Sequence, residues 1–447
     1  MKLSNRIVTK SQGRLILVIA VLVVMLLSAL AQAQTISNFD RERDRAILSQ
    51  LRDDLKKNYY DPSFHGIDLD KLYKKADDDL KQVQSNAQAF GVIAQMLLDL
   101  GDSHVYFVPP GRSTRVEYGW EIKVVGDAVL VGSVKTDSDA YKQGLRIGDT
   151  VLSVNGFNTT RQTAWRLNYL LVALAPQEKL HITVQKPTGE QNRLEVESKV
   201  EPKKKYNLTN YIDYLEYERN AEKDDKTRLA NHKFQEFGQE LIIWKMPGFD
   251  LADEELDKMM KKVENHKALI IDMRGNHGGS VPMLESLAGY FFDHEIKIAD
   301  YKGRKALKPS LAKAKVKQLF SGKLILLVDA NSASAAEVFP RLIQIEKRGT
   351  VIGDRTGGAV MRAQFFTHAV GLDTVAVYGA SITDADVIMT DGHSLEKVGV
   401  TPDILLLPTA LEVATKRDKV LSRAAELAGV TLDPTAAGAL FPEETKK

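Results

Sequence analysis

Two short segments of this 447-residue chain carry groups that nucleophilic acyl transfer requires. Asn331-Ser332-Ala333-Ser334-Ala335-Ala336-Glu337 follows the apolar run Leu324–Asp329 and opens a helical pattern. A serine there meets the positive end of a helix and amides that have no intrahelical acceptor. Arg274-Gly275-Asn276-His277-Gly278-Gly279-Ser280 follows the apolar run Ala268–Met273, and its glycines expose backbone N–H groups, the donors a developing oxyanion needs. Each segment alone has a plainer reading, Ser332 or Ser334 as an N-cap and the glycine pair as a turn. Placed at the ends of two strands of one parallel sheet, they bring a nucleophile and oxyanion donors to the same edge.

A serine needs a base. Three of the nine histidines lie in loops: His104 in Gly101-Asp102-Ser103-His104, His277 inside the glycine loop, and His393 in Asp391-Gly392-His393-Ser394. Spacing along the chain does not choose among them. Asp272 reads as a cap on the loop at its strand end, and Arg274 as a donor to loop carbonyls. No metal or cofactor is implied, for no His/Asp/Glu cluster has ligand spacing, cysteine is absent, and no glycine loop has the lysine of a nucleotide-binding loop.

These groups must be positioned by a chain too long for one ordinary domain. With 61 Lys plus Arg against 59 Asp plus Glu the net charge is +2, and no block of one sign marks a nucleic-acid binder. Residues 1–33 read as a secretory signal: basic Lys2, Arg6, Lys10 and Arg14, an apolar run from Leu15 to Leu30, then Ala31-Gln32-Ala33. The run is short of the about 20 residues of a spanning helix, so cleavage is expected over an uncleaved inner-membrane anchor. The chain is therefore read as exported, periplasmic or extracellular.

Residues 34–113 show helical spacing at Ile47, Leu51, Leu55, Leu69, Leu72, Leu80, Phe90, Ile93 and Leu97, which predicts a three-helix bundle followed by a strand at Val105–Val108. Residues 114–200 alternate short strands with helices near Ser138–Gln143 and Thr160–Leu174. Residues 201–236 are polar and read as a connection. Residues 237–410 alternate strand and helix up to Thr350–Ile352, a pattern of parallel strands with right-handed crossovers. Residues 411–447 read as one helix, Leu411–Leu427, and a polar tail.

Gly144-Leu145-Arg146-Ile147-Gly148-Asp149 followed by Val151-Leu152-Ser153-Val154-Asn155-Gly156 resembles the centre of a PDZ domain, which takes an extended peptide as an added strand. The resemblance makes Tyr118-Gly119-Trp120-Glu121 its peptide-binding loop. Leu100-Gly101-Asp102-Ser103-His104, the PDZ-like stretch, Ile271–Gly279, Ser332–Glu337 and Leu395–Asp403 come in the order of the C-terminal processing (tail-specific) and tricorn-like serine peptidases, which the mature chain resembles over almost its whole length. That resemblance implies a multidomain α/β protein with a crotonase- or ClpP-like peptidase core. It makes Ser334 the nucleophile, three residues before Glu337, with the oxyanion held by the amides of Ala335 and of Gly278 or Gly279. The processing peptidases take their base from a lysine 25 residues beyond the nucleophile, and that position here is Ala359. The tricorn-like branch uses a histidine before the PDZ domain paired with a distant glutamate, which implies His104 as base, supported by Ser103 or Glu396. Lys397 follows the wrong motif to replace the lysine. The implied partners are unfolded or C-terminally presented polypeptides, with self-association left open; the competing reading is an inactive PDZ-bearing scaffold.

Overall fold

The computed structural model describes residues 36–203, 226–371 and 375–441. The expected signal and most of the polar connection lie outside them. Among the described residues no helix is long and apolar enough to cross a membrane.

Three helices open the fold: α1 (Asn38–Asn58), α2 (Leu69–Leu80) and α3 (Asn86–Leu98). Each begins at a side-chain cap, Ser37, Asp68 and Ser85 respectively, which satisfies an amide left open by the first turn. Ile47, Leu48, Leu51 and Leu55 form the fully buried stripe of α1. Strand β1 (Tyr106–Val108) follows.

Residues 114–200 hold an antiparallel sheet of β2 (Trp120–Val125), β3 (Ala128–Val134), β4 (Thr150–Val154), β5 (Lys179–Gln185) and β6 (Gln191–Glu197), in that spatial order, so β2 is an edge strand. Helix α4 (Ala164–Tyr169) continues as one wider π turn to Leu174. The buried side chains of α1 to α3, those of this sheet and Tyr378, Ala380 and Ile382 form one continuous apolar cluster. The three helices pack on one another, and their core runs on into this sheet.

The third part is built on a six-stranded sheet of β7 (Lys233–Phe237), β8 (Leu241–Lys245), β9 (Ala268–Asp272), β11 (Lys323–Val328), β12 (Thr350–Gly353) and β15 (Ile404–Leu405), parallel except for β7. Alternate residues serve opposite layers. Ile242, Trp244, Leu269 and Ile271 pack with α5 (Asp253–Val263), α6 (Val281–Ala288) and α7 (Ala335–Ile345). Leu241, Ile243, Ala268 and Ile270 pack with the C-terminal segment. Burial on both faces is why these strands read as unbroken apolar runs.

That C-terminal segment departs from expectation. The single helix Leu411–Leu427 is α8 (Ala410–Ala414) and α9 (Lys419–Leu427), divided where Lys416 takes φ 54° and Asp418 caps α9. The residues beyond form α10 (Pro434–Ala439), with Ala437 buried against the sheet, rather than a polar tail.

A second, antiparallel sheet joins β10 (Ile296–Gly303), β13 (Met361–Val370) and β14 (Ala376–Met389) to β1. Its strands mix polar with apolar residues and so leave no long apolar run. The pairing of Tyr106 with Ser381 and of Val108 with Gly379 ties the loop carrying His104 to an element some 270 residues later.

Candidate active site

The loop after β11 turns into α7 through Ser334, whose φ of 57° and ψ of −122° are strained for a residue with a side chain, at about 1–3 kcal/mol. The strain is held by hydrogen bonds on both sides. Its N–H reaches the Ala359 carbonyl at 2.8 Å and Glu337 Oε2 at 3.1 Å. Glu337, fully buried, also accepts from the amides of Gly358 and Ala359 at 2.8 and 2.9 Å and from the Thr356 hydroxyl. Burial pushes its carboxyl above the usual range against those donors.

The two serines of the motif separate here. Ser332 is fully buried and its hydroxyl donates to the Met273 carbonyl at 2.9 Å, a structural bond between neighbouring strand ends. Ser334 stands at the N-cap position of α7, yet its Oγ caps nothing. It borders a pocket lined by Gly279, Val281, Leu284, Ile298, Val338 and Val387.

The glycine loop lies against this serine. A Cβ on Gly278 would stand 2.7 Å from Ser334 Cβ and 2.9 Å from the Ala335 amide, and a Cβ on Gly279 would strike the Phe249 carbonyl at 2.3 Å. The Gly278 amide is taken, donating to Asn276 Oδ1 at 2.8 Å. Among the described residues the amides of Gly279 and Ala335 have no acceptor.

Ser103, His104 and Glu396 meet in one line. Glu396 accepts the Ser103 amide at 3.0 Å, the Ser103 hydroxyl at 2.7 Å and the Val360 amide at 3.0 Å. The Ser103 hydroxyl also lies 2.9 Å from His104 Nδ1. A hydroxyl has one proton, so when it serves the carboxylate, the ring must donate from Nδ1, leaving the lone pair on Nε2. Burial pushes His104 below the usual imidazole value, with Asp102 pulling the other way, and burial pushes Glu396 above the usual carboxyl range. Among the described residues neither Ser334 Oγ nor His104 Nε2 takes part in a hydrogen bond. Ser334 and this line hang instead on consecutive residues, Ala359 through its carbonyl and Val360 through its amide.

The other expected residues fall elsewhere. His277 is exposed, and His393 is 80% exposed beside Asp391. Asp272 accepts the Arg274 amide, as a loop cap does. Arg274 binds the carboxylates of Asp272 and Asp418 rather than loop carbonyls, because the buried Asp272 needs a counter-charge. Tyr118 donates to the Leu171 carbonyl at 3.1 Å, Gly119 takes φ 72° against Ser138, and Trp120 and Glu121 begin the edge strand β2. Two further residues border the site: Asp102, which accepts the His104 amide, and Thr356, whose hydroxyl donates to Glu337 and which has no motif around it in the sequence.

An α/β sheet that gathers an elbow serine, a histidine–hydroxyl–carboxylate line and open amides at one end is the architecture of an acyl-transfer hydrolase. Residues 240–406 match the model of peptidase family S41. Those residues form a peptidase S41 domain, and the chain is a serine-type peptidase. It is 23% identical over 376 residues to the chloroplastic carboxyl-terminal-processing peptidase 1 of Arabidopsis thaliana, covering 81% of this chain and 71% of that one. It is 24% identical over 375 residues to the tail-specific protease of Haemophilus influenzae, covering 80% of this chain and spanning about half, 49%, of the relative. In fold it resembles mature CPAF, with a TM-score of 0.62 at 17% identity over 84% of this chain and 94% of that structure.

Proposed function

We propose that the chain is an exported endopeptidase that cleaves unfolded or C-terminally presented polypeptides, with Ser334 as nucleophile, His104 as general base and the Ser103–Glu396 pair behind it. The observation that carries this reading is the hydrogen-bonded line from His104 Nδ1 through Ser103 to Glu396, which leaves Nε2 free to accept a proton. Nε2 takes the Ser334 proton as Oγ attacks the carbonyl, and the bond to Ser334 closes when substrate is bound. The ring's new charge is met through Ser103 by Glu396. The oxyanion goes to the amides of Gly279 and Ala335, each donor worth about 3 kcal/mol of barrier. His104 then returns the proton to the leaving amine, and water repeats the sequence on the acyl-enzyme. The apolar pocket beside Ser334 suits an aliphatic side chain next to the scissile bond.

Residues 114–200 are read as a PDZ domain that presents the substrate, because β2 is an open edge beside Tyr118 and Gly119 and an extended peptide can add to it. Export rests on residues 1–33. The inactive-scaffold reading leaves a half-buried Glu396, three donors upon it and a strained Ser334 without purpose.

The test is a fluorophosphonate probe. It is expected to label the chain from Gln34 onward at Ser334 and to leave Ser334→Ala unmarked; an unlabelled parent overturns the reading. For the presenting domain, an extended peptide is expected to bind Ser334→Ala. Adding Gly119→Val should weaken that binding at least tenfold, because a Cβ there lies 2.3 Å from Ser138 Cβ; unchanged binding removes the loop from the peptide site.

A further inference from the structure

Asp102 has a place in the site that hydrogen bonding alone does not explain. It is 7% exposed. Its Oδ1 accepts the His104 amide at 2.9 Å and the Thr383 hydroxyl at 2.7 Å, which suffices to shape the loop. Its Oδ2 is buried with no hydrogen-bond partner among the described residues. A serine or asparagine would cap the same amide without leaving a carboxylate oxygen unsatisfied, at lower cost. The surroundings deepen the cost. Burial first and then the Asp102 charge raise the Glu396 carboxyl, and the Tyr59 phenol, which lies beside Asp102, is pushed well above its ordinary range by burial and then by that charge.

A charge that is costly in the resting site is useful if a positive charge appears beside it during the reaction. We propose that Asp102 is a second anionic support for His104, a positioning residue whose charge stabilises the imidazolium formed as Ser334 attacks. The proposal rests on His104 being the base. Glu396 acts along the ring, through the Ser103 hydroxyl on Nδ1. Asp102 acts from the backbone side, two residues earlier in the same loop, held against β14 by Thr383. An interaction that is unfavourable in the ground state and favourable in the transition state raises kcat rather than lowering KM. The direction of the electrostatics agrees, since Asp102 favours protonated His104 while burial opposes it. The other ionisable groups around this corner include Tyr59, Tyr60, Asp61 and His65 after α1, Arg304, which donates to the Tyr59 carbonyl, Asp386 of β14, and Glu396 and Lys397 in the loop beyond it.

The experiment compares the mature chain with Asp102→Asn and Asp102→Ser, both neutral and both able to cap the His104 amide, and with Asp102→Glu, which keeps the charge. The neutral variants are expected to lose about tenfold or more in kcat with KM within about twofold, and to move the acid limb of kcat/KM down by about half a pH unit or more. Asp102→Glu should keep the limb of the parent and recover part of kcat. Neutral variants with the kcat and limb of the parent overturn the proposal, as does Asp102→Glu proving as impaired as they are with the limb unmoved throughout. If one neutral variant melts below the assay temperature, the other decides. A His104→Ala chain that still cleaves refutes the base itself, an outcome separate from any result at Asp102.

Discussion

Removal of the imidazole in His104→Ala is expected to lower kcat by about six orders of magnitude, the scale seen when the base of a serine triad is deleted. The loss is that large because, in the proposed assignment, Ser334, His104 and Glu396 act as a unit, and without the base only oxyanion donors and binding hold the transition state. Hydrolysis of unfolded casein by the chain from Gln34 onward is a sufficient assay, with thermal melting to confirm that the variant is folded. The parent's pH profile carries the same assignment. A base works in its neutral form, and His104 lies below the ordinary value of about 6.5 because it is buried. Activity should therefore persist to lower pH than a solvated imidazole allows, and fall as protonation removes the lone pair on Nε2. Cleavage by His104→Ala above about one per cent of the parent would move the base elsewhere. An acid limb above 6.5 would count against His104 as the base.

Gly278→Ala should also be severe, for a steric reason. At φ 91° a Cβ is strained by itself, and here it would lie 2.7 Å from Ser334 Cβ, 2.8 Å from the Ala333 carbonyl and 2.9 Å from the Ala335 amide. Two of the three contacts are backbone, which cannot rotate aside. The loop must shift, separating the serine from the amides that face it. Displacement of an oxyanion donor costs about 10²–10³ in rate, and displacement of the nucleophile adds to it. The expected result is a loss of about 10³ or more in kcat with a stability loss of about 2–4 kcal/mol. Gly275→Ala is the matched control: φ is 76°, but nothing lies within 4 Å of its Cβ. It should cost about 1–2 kcal/mol of stability and little activity. Equal activity losses in the two variants would show that loop strain, rather than contact with Ser334, governs the site.

Much of the central sheet could be read from the chain because its signals are local. Strands β9 and β11 are buried on both faces, and such strands must be continuous apolar runs. The serine segment and the glycine loop were legible for the same reason: each sits immediately after one of those runs. The antiparallel sheet of β10, β13 and β14 was not legible, since Met361–Val370 mixes Arg362, Gln364, Thr367 and His368 with apolar residues and its ladder partners are defined only by pairing. The break between α8 and α9 was missed because helical periodicity runs through it, while Lys416 adopts a left-handed turn no periodicity reports.

By itself, the sequence determined what groups were available: a serine at a strand-to-helix turn, glycines whose amides could face an oxyanion, a loop histidine preceded by serine, and alanine where a lysine would stand in related peptidases. Tertiary structure alone decided which of them act together. Ser332 and Ser334 differ by two positions, and only the turn geometry buries one hydroxyl and turns the other outward. Ser103 and Glu396 are far apart in the chain, and their hydrogen bonds exist because β1 pairs with β14 and draws the N-terminal loop beside the C-terminal one. Residues at the lysine position take part through backbone alone, the Ala359 carbonyl and the Val360 amide, and backbone groups are the same at every residue. A contact made by a carbonyl or an amide leaves no trace in side-chain identity, so that half of the site could be found only in three dimensions.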